Sequence, residues 1–143
     1  MREKELNNIK KEYLRSYRPI ENRIRQIDDD IRALRMEADS SRSAHYSYIP
    51  SASSEHSNIQ ESYVIALEEA VSKRLEMKAE YIRKRDEIKN CIHEIGDAEL
   101  ERLLEYRYID KLSWYEVEKK MNYGKSQVNR MHSKALRKLN YAE

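Results

Sequence analysis

Seven side chains, Tyr17, Ile20, Ile24, Ile27, Ile31, Leu34 and Ala38, recur at steps that alternate strictly between three and four residues. Only an α-helix lines up residues at that spacing, and a row this long among mostly charged neighbours is a coiled-coil seam. Upstream, Leu6, Ile9 and Tyr13 continue the pattern, so residues 2–38 are expected to be helical. Two successive steps of four, from Ile9 to Tyr13 to Tyr17, shift the phase. Pro19 follows directly. It lacks an amide proton and clashes with the preceding turn, which predicts a kink or break near Tyr17 and Arg18.

The rest of the chain has little with which to build anything but helices. Its 143 residues hold two Gly, two Pro and no Phe, and 38% of them are charged. So few turn-formers exclude many hairpins and point to an all-α fold made of a few long helices. The stretch 39–57 stands apart, because eight serines lie between Asp39 and Asn58, together with Pro50. It is expected to be a flexible loop, since it cannot bury enough apolar surface to offset its ordering entropy.

A second helix is predicted over 58–95, with an imperfect seam of Val64, Leu67, Val71, Leu75, Ile82, Ile88, Ile92 and Ile95, diluted by Lys78 and Arg85. Two amphipathic helices of matched length joined by one loop fold back as an antiparallel helical hairpin, here a coiled-coil-like arm of residues 1–95. Ile20, Ile24, Ile27, Ile31 and Leu34 offer more apolar seam than one partner helix covers. That row is therefore expected to make the chain a homodimer.

Gly96 ends the second long helix and Asp97 can cap the next. Leu100, Leu103, Leu104 and Ile109 then mark the inner side of a helix over 98–109. After Asp110-Lys111-Leu112, Ser113 and Glu116 stand at the spacing of a capping box. Trp114, Val117 and Met121 share one side of the short helix that follows. Asn122-Tyr123-Gly124 breaks it; Gly124 can take backbone angles that a residue with a Cβ resists, and it stands at the cap position of the next helix. Val128, Met131, Ala135, Leu136 and Leu139 line a further helix. Residues 97–143 thus read as a three-helix module that contains a helix-turn-helix.

Charge is distributed to match. Between Asn122 and Ala142 lie five basic residues (Lys125, Arg130, Lys134, Arg137 and Lys138) and no acid. Residues 111–143 carry eight basic groups against three acids, while the whole chain carries only +2, which leaves −3 for residues 1–110. One basic end on an otherwise acidic chain is the footprint of a phosphate-binding module. On the last helix Lys125, Ser126, Gln127, Asn129 and Arg130 occupy the first turns, the part that enters a major groove, where Arg or Lys suits guanine and Asn or Gln suits adenine. Ser133, Lys134, Arg137 and Lys138 come later and are expected on phosphates, with Tyr115 and Lys119 as further backbone contacts. Trp114 is expected in the core.

The stretch from Ser113 to Leu139, in which S-W-x-E-V-x-K-x-M is followed by V-x-R-M-x-x-K-A-L-R-K-L, resembles region four of bacterial primary sigma factors. More of the chain is similar to phage and prophage regulators of the ArpU/RinA type, through L-L-E-x-R-Y-I-D-x-L-S-W-x-E-V at Leu103 to Val117. That resemblance implies a late-gene transcription regulator in a bacterial host. It also implies contact with the host RNA polymerase and base reading by the residues named above.

Nothing points to catalysis. His45, His56, His93 and His132 are dispersed, and Cys91-Ile92-His93 is too close and too isolated for a zinc site, so neither metal nor cofactor is expected. A phosphate cradle is also missing. The chain is read as no enzyme. A single cysteine fits a reducing cytoplasm, and no apolar run is long enough to span a bilayer. The expected function is sequence-specific binding of double-stranded DNA to regulate a phage or mobile element, with activation of late genes as its most direct form. The alternatives are a small-terminase-like DNA-packaging adaptor and a polymerase-binding protein without DNA specificity.

Overall fold

The computed structural model describes residues 2–46 and 53–141, with side chains over 2–40 and 58–141. Every regular element among them is helical. In chain order they are α1 (Glu3–Leu14), α2 (Arg18–Tyr46), α3 (Ser53–His93), α4 (Ala98–Leu104), α5 (Trp114–Met121) and α6 (Lys125–Lys138). A π-helical turn, Glu105–Ile109, continues α4. No helix among the described residues is long and apolar enough to cross a membrane.

The break between α1 and α2 falls where the proline predicts it. The Arg15 N–H closes on the carbonyls of Lys11 and Glu12, Ser16 Oγ donates to the Tyr13 carbonyl at 2.6 Å, and α2 restarts at Arg18. Pro19 then sits in the first helical turn, where its missing N–H has no partner to lose. The turn also resets the phase of the buried face. On α1 it is Lys10 and Leu14 that are buried, while Leu6, expected in the seam, is 40% exposed.

The serine-rich stretch is shorter as a loop than expected. Residues 39–46 belong to α2 and 53–57 to α3, and the remainder of the expected loop, 47–52, lies outside the described residues. Ser, His and Tyr carry only modest helix penalties, so polarity alone does not end a helix.

Contacts divide the chain into two compact units, Pro19–Tyr81 and Met1–Arg18 with Ile82–Glu143. The boundary expected at 95–97 is displaced because α1 and the last turns of α3 supply core side chains to the C-terminal helices.

Within Pro19–Tyr81, α2 and α3 form an antiparallel hairpin. Arg74 Nε and Asp28 Oδ1 form an ion pair at 2.7 Å, and a groove of about 490 Å³ is lined by Ala33 and Leu34 of α2 and by Ala66 and Ala70 of α3. Ile20, Ile24, Ile27 and Ile31 are only 5–8% exposed and Leu34 is half-buried, all within the single chain. The row assigned from sequence to a dimer contact is thus spent on the chain's own core.

Helix α3 corrects a second expectation. Its half-buried row is Tyr63, Leu67, Ala70, Arg74, Met77 and Tyr81, at steps of four and three. Val64, Val71 and Leu75, expected in the seam, face out. Apolar residues stand around much of this helix, so periodicity alone offers two rows. The longer side chains of Tyr63, Met77 and Tyr81 cover more of an isoleucine ridge than valine does. Arg74 is half-buried in the same row, and its head reaches Asp28.

The other unit surrounds α6. Leu100, Leu103, Leu104 and Ile109 are buried as expected, as are Val117 and all five of Val128, Met131, Ala135, Leu136 and Leu139. Leu14, Tyr17, Ile88, Cys91 and Ile92 join them from outside residues 97–143. Ile82, also expected inside, is 55% exposed. Leu14 has no exposed surface, and burying a leucine that completely stabilises by about 1.5–3 kcal/mol. His93 ties the end of α3 to α4, with Nε2 2.8 Å from Glu105 Oε1 and Nδ1 3.4 Å from Glu101 Oε1.

Candidate nucleic-acid interface

The basic end of the chain is presented by α5 and α6, and local chemistry fixes both starts. Ser113 Oγ accepts from the Glu116 N–H at 3.2 Å, and Glu116 Oε2 accepts from the Ser113 N–H at 2.9 Å, closing the capping box that the sequence predicts. Behind them Gly96 is left-handed at φ +79, and the Asp97 carboxylate accepts from the N–H groups of Glu99 and Leu100, starting α4. The turn between α5 and α6 differs in detail from expectation. Asn122 takes the left-handed conformation, φ 63 and ψ 35, whereas Gly124 is extended at φ −75 and caps α6 without a side chain. Asparagine tolerates that region better than most residues, which frees the glycine from the role.

Three groups hold α6 from behind. Its buried His132 stands 2.8 Å from the Tyr108 hydroxyl, with the Trp114 ring edge-on at 4.7 Å between centroids. Burial, reinforced by the nearby positive charges of Lys11, Arg107 and Arg15, pushes this imidazole down to about 4. Lys10 Nζ donates to the carbonyls of Leu136, at 2.6 Å, and Arg137, at 3.4 Å, in the last turn of α6. A cation there also opposes the partial negative charge of the helix C-terminus. Burial lowers the lysine's pKa from its ordinary value. The Tyr17 hydroxyl donates to the Tyr108 carbonyl, fixing the π-helical turn that places Tyr108 under His132. Trp114 is half-buried and carries the Arg107 guanidinium over its ring at 4.7 Å.

Every residue assigned from sequence to DNA contact is exposed: Lys125, Ser126, Gln127, Asn129 and Arg130, then Ser133, Lys134, Arg137 and Lys138, with Tyr115 and Lys119 on α5. The helical repeat sorts those on α6. Ser126, Arg130, Ser133 and Arg137 form the ridge opposite the core, since three- and four-residue steps stay on one side. Lys125 and Asn129 flank that ridge on one side, and Gln127, Lys134 and Lys138 on the other. Lys119 Nζ lies 4.5 Å from the centre of the Tyr115 ring, so these two act as one patch.

Three features escaped the sequence. Gln127, Arg130 and Lys134 share a hollow of about 240 Å³ with Asp97 and Glu99, so two carboxylates border one flank of the basic ridge. Glu99 accepts from the Tyr123 hydroxyl at 2.9 Å. Lys10 and the Tyr108–His132 pair were also missed. The only available signal for Lys10 was its place one turn before Leu14, on the same side of α1.

Neither a curated protein nor a solved structure matches this chain. A family profile does match, over residues 56–140, from the first turns of α3 to the end of α6. By that match the chain belongs to the family described as Protein of unknown function (DUF1492).

Proposed function

We propose that the chain is a sequence-specific double-stranded-DNA-binding protein that regulates transcription of a phage or mobile element, with α6 as the major-groove helix. One observation carries this reading: α6 turns its apolar side inward and offers only basic, amide and hydroxyl side chains outward, with no acid along its length. Its 14 residues extend about 21 Å, enough to lie along a groove and leave it at the far end. The resemblance of Ser113–Leu139 to sigma region four supports a transcriptional role, with late-gene activation as its form and host RNA polymerase as a second partner.

Arg130, in the first half of the ridge, is assigned to bases, with Lys125, Ser126, Gln127 and Asn129 around it. Arg137, two turns on, is assigned to phosphate with Ser133, Lys134 and Lys138, and Tyr115 and Lys119 brace the backbone from α5. Selection of a preferred site from random duplexes, followed by titration at several salt concentrations, tests the assignment. Arg130→Ala is expected to cost about 1–3 kcal/mol on the selected site and much less on random DNA. Arg137→Ala is expected to weaken both alike and reduce the salt slope by about one unit. Equal loss of discrimination in the two variants contradicts this placement of the helix, and absence of any DNA binding removes the reading.

A further inference from the structure

On α3, one row of apolar residues stands exposed, without a partner among the described residues: Val64 at 48% exposure, Val71 at 37% and Leu75 at 64%, with Ile65 beside them at 52%. The steps from Val64 to Val71 to Leu75 are seven and four, the spacing of a second heptad seam. It is distinct from the row that faces α2. Two charged residues, Glu68 and Lys78, stand at the remaining seam positions of the same stretch. Both are exposed, and neither makes an ion pair among the described residues.

The order of these residues is symmetric about a point midway between Val71 and Leu75. Two copies of the helix laid antiparallel about a twofold axis there bring Val71 of each against Leu75 of the other. The same operation brings Glu68 of each against Lys78 of the other. Every charge in the central four layers meets its opposite, and every apolar residue meets an apolar one. An isologous contact requires this self-complementarity. Shifting the register by one layer would oppose charge to aliphatic side chains, which costs desolvation without a partner. We infer that this row is a docking surface for a second copy of the same chain, paired antiparallel through Val71 and Leu75 and kept in register by Glu68 and Lys78. The inference stands apart from DNA binding and does not need it.

The test is the mass of the full chain in solution, by sedimentation equilibrium over a range of concentrations. The native chain is expected to be a dimer. Leu75→Glu is expected to make it monomeric with an unchanged helical circular dichroism spectrum, since the side chain is exposed in the single chain. Glu68→Lys and Lys78→Glu, each of which sets like charges opposite one another twice, are each expected to weaken the dimer by about tenfold or more. The double variant, Glu68→Lys with Lys78→Glu, is expected to regain most of that loss. A monomeric native chain, or a dimer that survives Leu75→Glu, overturns the inference and sends the row to a different occupant. Loss in both single variants without recovery in the double variant overturns the antiparallel register.

Discussion

The Tyr108 hydroxyl and His132 Nε2 lie 2.8 Å apart inside the C-terminal core, joining the π-helical turn to the middle of the basic helix. One hydrogen bond serves the pair whichever ring nitrogen carries the proton, so long as the imidazole is neutral. A second proton would place a cation in a buried site that already faces Lys11, Arg107 and Arg15. The sign of the pH dependence follows. The folded pKa, about 4, lies below the ordinary value of 6.5, so the unfolded chain binds this proton first as pH falls. The stabilisation is complete above pH 6.5 and is lost between 6.5 and 4, on the order of 3 kcal/mol in all. Urea unfolding from pH 7 to pH 4 is expected to show that loss in the native chain. His132→Gln should lower stability at pH 7 and flatten this part of the profile.

Lys10 gives a second prediction. Lys10→Ala removes the donor to two carbonyls at the end of α6 as well as the packing of the lysine stem, and should cost about 1–3 kcal/mol in chemical denaturation. Lys10→Met keeps most of the stem and should cost less. An equal loss in the two variants would mean that the stem contributes nothing, and an unchanged stability in Lys10→Met would mean that the ammonium contributes nothing.

At Gly124 a substitution should stabilise. Its backbone is extended at φ −75, and a Cβ there would meet nothing within 4 Å. Gly124→Ser supplies the side-chain cap that α6 lacks and restricts the unfolded chain, a gain of roughly 0.5–1 kcal/mol. Thermal unfolding should register it as a rise of a few degrees. Gly96→Ser, by contrast, should destabilise, because φ +79 strains any residue with a Cβ.

The carboxylates beside the ridge yield a fourth expectation, which rests on the proposed DNA contact. Glu99→Gln keeps an acceptor for the Tyr123 hydroxyl but removes a negative charge from the hollow that holds Arg130 and Lys134. Affinity for any duplex should rise a few-fold at low salt, and the gain should shrink as salt is added. A gain confined to one DNA sequence would instead mean that Glu99 lies against a base.

Local chemistry was legible in the sequence; the choice of faces was not. The Ser113–Glu116 box, the Asp97 cap, the end of the second long helix before Gly96 and the break before Pro19 each depend on residues within four positions of one another, and each occurs where expected. The inner side of α6 is equally plain, because the opposite side carries no aliphatic residue. On α3 apolar residues stand around most of the helix, so its partner, and not its period, selects the row that turns inward. The isoleucines of α2 looked like surplus only while Tyr63, Met77 and Tyr81 were not counted as their cover. Lys10, whose partners are backbone carbonyls at the far end of the chain, leaves no trace in any pattern of side chains.

The bond from Lys10 to the Leu136 carbonyl joins positions 126 residues apart. Closing so long a loop is entropically costly, although the cost grows only slowly with length, and contacts of this range slow folding more than they weaken the folded state. On the ribosome α1 emerges before α6, so Lys10 must wait for a carbonyl made 126 residues later. The basic helix therefore cannot be locked in place until its own last turn has been made, and a chain cut short before Leu136 would leave Lys10 without its acceptors.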